Sequence, residues 1–230
     1  MFEYKVNKLR KPAKNLIVFL HGYNDCVENH ADTFTTLRKQ LSNSYVVMPR
    51  AADVCEKNPL QFQWFGMQQY DSENLRSKPE TETKHINAIY NKTAFAIDAK
   101  ARQINSFIDE LQKKYGIDNA HTYLIGFSQG AMLALYTAIS RSAQIGGVFA
   151  LSGLIAGRKL LAKKVNSLPP VYLFHGQNDL KVQFKTLNST IFWLKRHGLA
   201  VKIFTYAELT HHVTQQEIAK ICAVINNQSR

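Results

Sequence analysis

The passage from Thr122 to Ile139 constrains this chain more than any other. Its first part, TYLIGF (Thr122 to Phe127), is a run of β-branched and aromatic residues that reads as a buried strand. Its last part, Met132 to Ile139, carries an apolar stripe at helical spacing. Between them stands Gly126-Phe127-Ser128-Gln129-Gly130, a G-x-S-x-G pentapeptide. The glycines permit a tight turn that holds the serine exposed on strained backbone, and the start of the following helix aims free N–H groups at any negative charge that develops there. Alone, the pentapeptide would be no more than a glycine-rich turn; between a strand and a helix it marks Ser128 as a candidate nucleophile.

Comparable apolar runs recur at Leu16 to Leu20, Tyr45 to Met48, Gly147 to Leu151, Val171 to Phe174 and Val201 to Tyr206. Helical stripes alternate with them: Ile97, Ala101, Ile104, Ile108 and Leu111 within Ala94 to Tyr115, stopped by Gly116, and further stripes through Phe184 to Leu194 and Ile218 to Ile225. Strand and helix repeated in this way argue for the α/β class: a mostly parallel central sheet of about seven strands with helices on both faces. Phe2 to Val6 is expected to add an antiparallel edge strand. With 230 residues and 45% hydrophobic content, residues 1–230 are read as a single domain. The polar stretch from Gln68 to about Thr83 is long for a connection, and reads either as a lid-like cover near a site or as a solvated loop.

Leu16 to Leu20 is too short to cross a bilayer or to serve as a secretion-signal core, so a soluble, cytoplasmic protein is expected. The cysteines Cys26, Cys55 and Cys222 form no C-x-x-C pair and read as reduced thiols. Lysine and arginine total 29 against 17 acidic residues, a formal charge of +12, with mild clusters at Lys5 to Lys14 and Arg158 to Lys164. Neither cluster is interleaved with aromatic residues, so they read as solvated basic faces and nucleic acid is not an expected partner.

In open parallel sheets, ligands bind where strands end at their carboxyl termini. A serine hydroxyl needs a histidine base, and that base needs an acid to fix its tautomer, in the chain order serine, acid, histidine. Asp179 follows the run Val171 to Phe174; between Ser128 and His211 the other acid is Glu208, which shares a loop with the histidines and would have to fold back on them. Asp179 is therefore the expected acid. His211 and His212 stand together in the loop before a T-x-x-E capping box, Thr214 to Glu217, and spacing alone does not choose between them. His21 and His175 each precede a glycine at a strand end and read as structural; His30, His85, His121 and His197 show no matching partner, and no spacing suggests a metal. The backbone N–H groups of Gln129 and Tyr23 are the candidate oxyanion donors.

The series FLHGYND, MPRAAD, QWFGM, GFSQGAMLALYTA, LSG, HGQNDLKV and YAELTHH resembles, in order, the carboxylesterase, acyl-protein thioesterase and lysophospholipase family of small α/β-hydrolases. The resemblance implies an α/β-hydrolase fold and a triad of Ser128, Asp179 and His211, so it is the resemblance that selects the first histidine. It also implies Trp64, Phe65, Leu154 and Ile155 as walls of an acyl pocket, although aromatic and aliphatic residues of this kind equally form core. Glu208 stands where the family has glycine, Tyr23 where leucine is usual, and Gly66 where aspartate is usual. No cofactor is implied. Expected substrates are small carboxylic esters, thioesters or lysophospholipids, S-acylated proteins among them; peripheral membrane contact, and a monomer or a homodimer, are all compatible. The competing reading is a non-catalytic basic binding protein, built on the same scaffold, for an anionic membrane or polyanion.

Overall fold

The computed structural model describes residues 2–9 and 13–228. In chain order the elements are β1 (Tyr4–Val6), β2 (Asn15–Leu20), α1 (Ala31–Gln40), β3 (Ser44–Pro49), β4 (Asp53–Cys55), β5 (Asn58–Gln63), α2 (Thr83–Lys92), α3 (Ala94–Tyr115), β6 (Thr122–Phe127), α4 (Gln129–Ser140), β7 (Gly147–Leu151), α5 (Arg158–Leu161), β8 (Val171–Gly176), α6 (Thr186–Arg196), β9 (Val201–Tyr206) and α7 (Gln215–Gln228).

Continuous apolar runs are the signature of strands buried on both faces, and β2, with all six of its residues buried, shows why. Successive side chains point to opposite sides of a strand, so Leu16, Val18 and Leu20 enter one core while Ile17 and Phe19 enter another. The first core is closed by α2, α3, α4, α5 and α6, the second by α1 and α7. Seven strands form one sheet in the order β1-β3-β2-β6-β7-β8-β9, parallel except for β1, which runs antiparallel to β3 as the edge strand expected at Phe2 to Val6. β6 is fourth of the seven, so the serine turn leaves the middle of the sheet. The helix after it, α4, is buried from Gln129 to Ile139, which explains a sequence without a polar face.

The helix expected over Ala94 to Tyr115 forms with those limits. Its stripe of Ile97, Ala101, Ile104, Ile108 and Leu111 is buried, each large side chain contributing about 1.5–3 kcal/mol through burial. Gly116 ends it in the left-handed region, at φ +67°, with its N–H bonded to the Gln112 carbonyl. Five elements were not legible in the sequence: α1, which inserts only Thr33, Phe34 and Leu37 from a threonine-rich sequence, the Asn- and Lys-containing α2, the single turn of α5, and the two strands of the β4–β5 hairpin.

The segment 68–83 is tied to the rest of the fold by hydrogen bonds, and Asn74, Arg76 and Ser77 within it line the cleft that holds Ser128. Asp71 and Arg76 form a buried ion pair at 2.5 Å, with the Leu75 and Arg76 N–H groups also donating to Asp71. Gln183 Nε2 donates to the Arg76 and Lys78 carbonyls, Ser77 Oγ to the Lys181 carbonyl, and Lys185 Nζ to the Pro79 carbonyl. The basic runs also differ from the expected solvated faces. Arg158 turns inward onto the Ile155 carbonyl and Ser189 Oγ, and Lys164 pairs with Asp98. Residues 10–12 of the run Lys5 to Lys14 lie outside the described residues.

Candidate active site

The turn after β6 is the fixed point of the site. Ser128 has φ +54° and ψ −115°, a conformation that costs a side-chain-bearing residue of order 1–3 kcal/mol and persists only where its surroundings enforce it. The two glycines of the pentapeptide are what the enforcement requires. A Cβ on Gly126 would lie 2.3 Å from the Gly130 carbonyl oxygen, and a Cβ on Gly130 would lie 2.2 Å from that of Leu20. Strand β6 thus approaches the start of α4, and α4 the end of β2, more closely than any other residue allows, and the Ser128 N–H is held by the Leu151 carbonyl at 2.9 Å.

Two further loops bring in the other groups. β8 and β9 stay paired out to Gly176 and Tyr206, two residues beyond the apolar run of β8, and the loops that follow are joined by hydrogen bonds from Gln177 N–H to the Tyr206 carbonyl and from Asn178 N–H to the Leu209 carbonyl. Asp179 and His211 are thereby set face to face. Asp179 Oδ1 accepts the Lys181 and Val182 N–H groups, each at 2.9 Å, and Oδ2 lies 2.7 Å from His211 Nδ1. His211 Nε2 lies 3.0 Å from Ser128 Oγ. The carboxylate fixes the tautomer: with the proton on Nδ1, the lone pair on Nε2 faces the serine hydroxyl. Asp179 is 2% exposed. Burial alone would raise its carboxyl, but the hydrogen bond and charge of His211, with His175 and the Val182 N–H, hold it below the usual range.

Of the paired histidines, His211 alone points at the serine. His212 is exposed, its Nδ1 3.2 Å from Thr210 Oγ1, and Glu208 is exposed as well. The loop that carries both histidines is anchored by the expected capping box: Glu217 Oε2 accepts the Thr214 N–H at 2.8 Å and Thr214 Oγ1 accepts the Glu217 N–H at 3.2 Å. The Phe127 ring covers one face of the His211 imidazole, with centroids 4.9 Å apart.

His21 and His175 occupy structural positions. His21 Nδ1 donates to the Gly22 carbonyl and Nε2 accepts the Ala51 N–H; desolvation keeps the ring neutral. His175 Nε2 sits 2.7 Å from the Val182 carbonyl. The expectation that His30, His121 and His197 lack partners is corrected by the structure: His30 meets Asp25 at 2.7 Å, His121 meets Asp118, and His197 bonds the Trp193 carbonyl. Their partners are three to five residues away, contacts made within one local stretch of chain.

Tyr23 and Gln129, the candidate oxyanion donors, both line the cleft beside Ser128. Gln129 is the first residue of α4, where N–H groups have no intrahelical acceptor. Its side chain serves otherwise: Oε1 accepts the Trp64 N–H and Nε2 donates to the Phe65 carbonyl, tying the 64–65 backbone to the nucleophile turn. The wall assignment drawn from resemblance does not match the structure. Trp64, Phe65, Leu154 and Ile155 are at most 2% exposed and belong to the core beneath the sheet; Trp64 is fixed there by its Nε1–H bond to the His21 carbonyl. The cleft, about 510 Å³, is floored instead by Met67, Tyr90, Met132 and Val182, with Arg76, Lys57 and Lys181 on its polar side. No spacing in the sequence marks these residues, because they reach the cleft from separate loops and helices.

The family described as phospholipase/carboxylesterase matches residues 3–229. Acyl-protein thioesterase 1 of Kluyveromyces lactis is 26% identical over 225 residues, covering 93% of this chain and 92% of its own. The protein of the same name from Debaryomyces hansenii is 28% identical over 231 residues, covering 94% and 91%. Among solved structures, esterase PE8 superimposes with a TM-score of 0.82 at 25% identity, covering 98% of each chain. Acyl-protein thioesterase 2 of Zea mays, at 20% identity and a TM-score of 0.73 over 100% of each chain, shares the fold. The match along nearly the whole length, on a sheet and serine turn of this form, places the chain in the phospholipase/carboxylesterase family of α/β-hydrolases.

Proposed function

We propose that the chain hydrolyses carboxylic esters or thioesters through an acyl-enzyme on Ser128. One observation carries the reading: the unbroken hydrogen-bonded series Ser128, His211, Asp179 at a strained strand-to-helix turn. His211 Nε2 takes the Ser128 proton as Oγ attacks the carbonyl carbon, and Asp179 stabilises the imidazolium. The carbonyl oxygen becomes an oxyanion, held by the N–H groups of Tyr23 and Gln129. Collapse expels the alcohol or thiol, which leaves with the proton from His211. Water then enters the same place, His211 takes its proton, and the acid is released as Ser128 is restored.

The acyl-protein thioesterase names of the relatives support S-acylated proteins as one substrate class. Among the described residues no helix is long and apolar enough to cross a membrane, and a cytoplasmic site of action is part of the proposal. The non-catalytic reading finds no support in relatives named as enzymes. The test is labelling of the folded protein with a fluorophosphonate: a mass increase on the wild type and none on Ser128→Ala supports the acyl-enzyme. Equal labelling of both, or of neither, would overturn it.

A further inference from the structure

Resting on the hydrolase reading, the two clefts that meet at Ser128 and His211 suggest the substrate class. They differ in charge. One contains Asp25 and Asp32 with His30 and His212. The other carries Lys57, Arg76 and Lys181 and has no carboxylate in its lining.

The basic cleft is built rather than incidental. Arg76 is 8% exposed, its guanidinium braced by Asp71, its N–H by the same carboxylate, and its carbonyl by Gln183. The buried Tyr90 phenol lies against it. Lys57 Nζ donates to Asn74 Oδ1 at 2.7 Å, a neutral partner, and among the described residues neither Lys57 nor Lys181 forms an ion pair. The acids nearby are already engaged: Asp71 with Arg76, Asp179 with His211, and Glu56 with the Met67 and Gln68 N–H groups and the Tyr23 hydroxyl. A sphere of the cleft's volume is about 10 Å across, so an anion inside it lies within roughly a Debye length of all three cations.

We propose that the preferred substrate carries an anionic oxygen group, a carboxylate or a phosphate, on the arm that enters this cleft, and that Lys57 and Lys181 hold it against the wall built by Arg76. The apolar floor of Met67, Met132 and Val182 receives the short chain between that group and the reacting carbonyl.

Matched substrate pairs test this. For charge on the acyl side, the p-nitrophenyl half-ester of glutaric acid is compared with its neutral methyl ester; for charge on the leaving group, the butyryl thioester of 3-mercaptopropionic acid is compared with its methyl ester. All rates are normalised to hydroxide-catalysed hydrolysis. A kcat/KM at least about tenfold higher for the charged member of either pair is expected, of the size of one charge-assisted hydrogen bond. The ratio should fall about tenfold in Lys57→Gln/Lys181→Gln, return in Lys57→Arg/Lys181→Arg, and shrink as salt rises. Equal rates within both pairs, or a preference the double glutamine variant leaves intact, would overturn the proposal. Calorimetry of glutarate with Ser128→Ala separates this from failure of the hydrolase reading. Glutarate binding that the two glutamines abolish would stand without any turnover, whereas neutral-ester turnover with no charge preference would leave the hydrolase and remove the anion site.

Discussion

Replacing Asp179 by Asn exchanges one carboxylate oxygen for an NH2 group, removing the charge with almost no change of volume, which makes it the sharpest probe of the site. Oδ1 accepts two backbone N–H groups, from Lys181 and Val182, so the amide carbonyl of the variant must take that place. Its NH2 group then faces His211 Nδ1, 2.7 Å from where the carboxylate oxygen stood, and has to donate. His211 responds by moving its proton to Nε2, which presents an N–H to Ser128 Oγ instead of a lone pair. The base is lost although every atom remains near its place. For a triad, a wrong tautomer of this kind lowers kcat by about 10⁴-fold, equivalent to about 5.5 kcal/mol of transition-state stabilisation. Stability should fall by no more than about 2 kcal/mol, a Tm shift of about 4–8 °C, because both N–H groups keep an acceptor. The assay is p-nitrophenyl butyrate hydrolysis at neutral pH alongside thermal unfolding. A folded Asp179→Asn retaining more than about a tenth of the wild-type kcat would show that this carboxylate does not set the tautomer.

Three other outcomes follow from the same geometry. His211→Gln should lose ester hydrolysis by at least about 10³-fold while His212→Gln keeps its rate within about threefold, measured by initial rates on p-nitrophenyl butyrate; the reverse result would assign the base to His212. Gly130→Ala sets a Cβ 2.2 Å from a backbone carbonyl that cannot move aside, so it should cost at least about 3 kcal/mol in urea unfolding or prevent folding. Asp25 is held below the usual carboxylate range: burial would raise it, but the bond to His30 and those from Asn29 and Gly22 outweigh burial. Its stabilising contribution is therefore complete above the unfolded-state value and lost as pH falls through the depressed folded one. Asp25→Asn should flatten the acid limb of a plot of stability against pH between about 5 and 2, and an unchanged limb would remove Asp25 as a source.

What the sequence made legible was what is written locally. β6, β7, β9 and α3 form with the limits their periodicity gives, because each is long, apolar on the required face and stopped by glycine or a turn. Chain order left Asp179 and Glu208, and the need for Glu208 to fold back from the histidines' own loop was enough to choose Asp179. It was not enough to choose His211 over His212, since that depends on how the 207–213 loop is pinned by the Asn178 N–H and the Thr214–Glu217 box. The cleft was illegible for a stronger reason. Lys57, Arg76, Tyr90, Met132 and Lys181 come from five separate stretches, and only the folded sheet makes them neighbours. Trp64 and Phe65 were drawn to the pocket by resemblance, but Gln129 pulls their backbone toward the nucleophile turn and their rings go to the core.

The wall at 74–78 and the acid Asp179 are both held by one short stretch, residues 181–183. Ser77 and Gln183 tie the wall to residues 181–183, and Asp179 grips the N–H groups of Lys181 and Val182. Substrate preference and chemistry are therefore not separate cassettes in this protein. Transplanting the 68–83 stretch from a relative would pull on the orienting carboxylate unless Lys181, Gln183 and Lys185 travelled with it. The heritable unit of specificity is this pair of stretches, distant in the chain and inseparable in the fold.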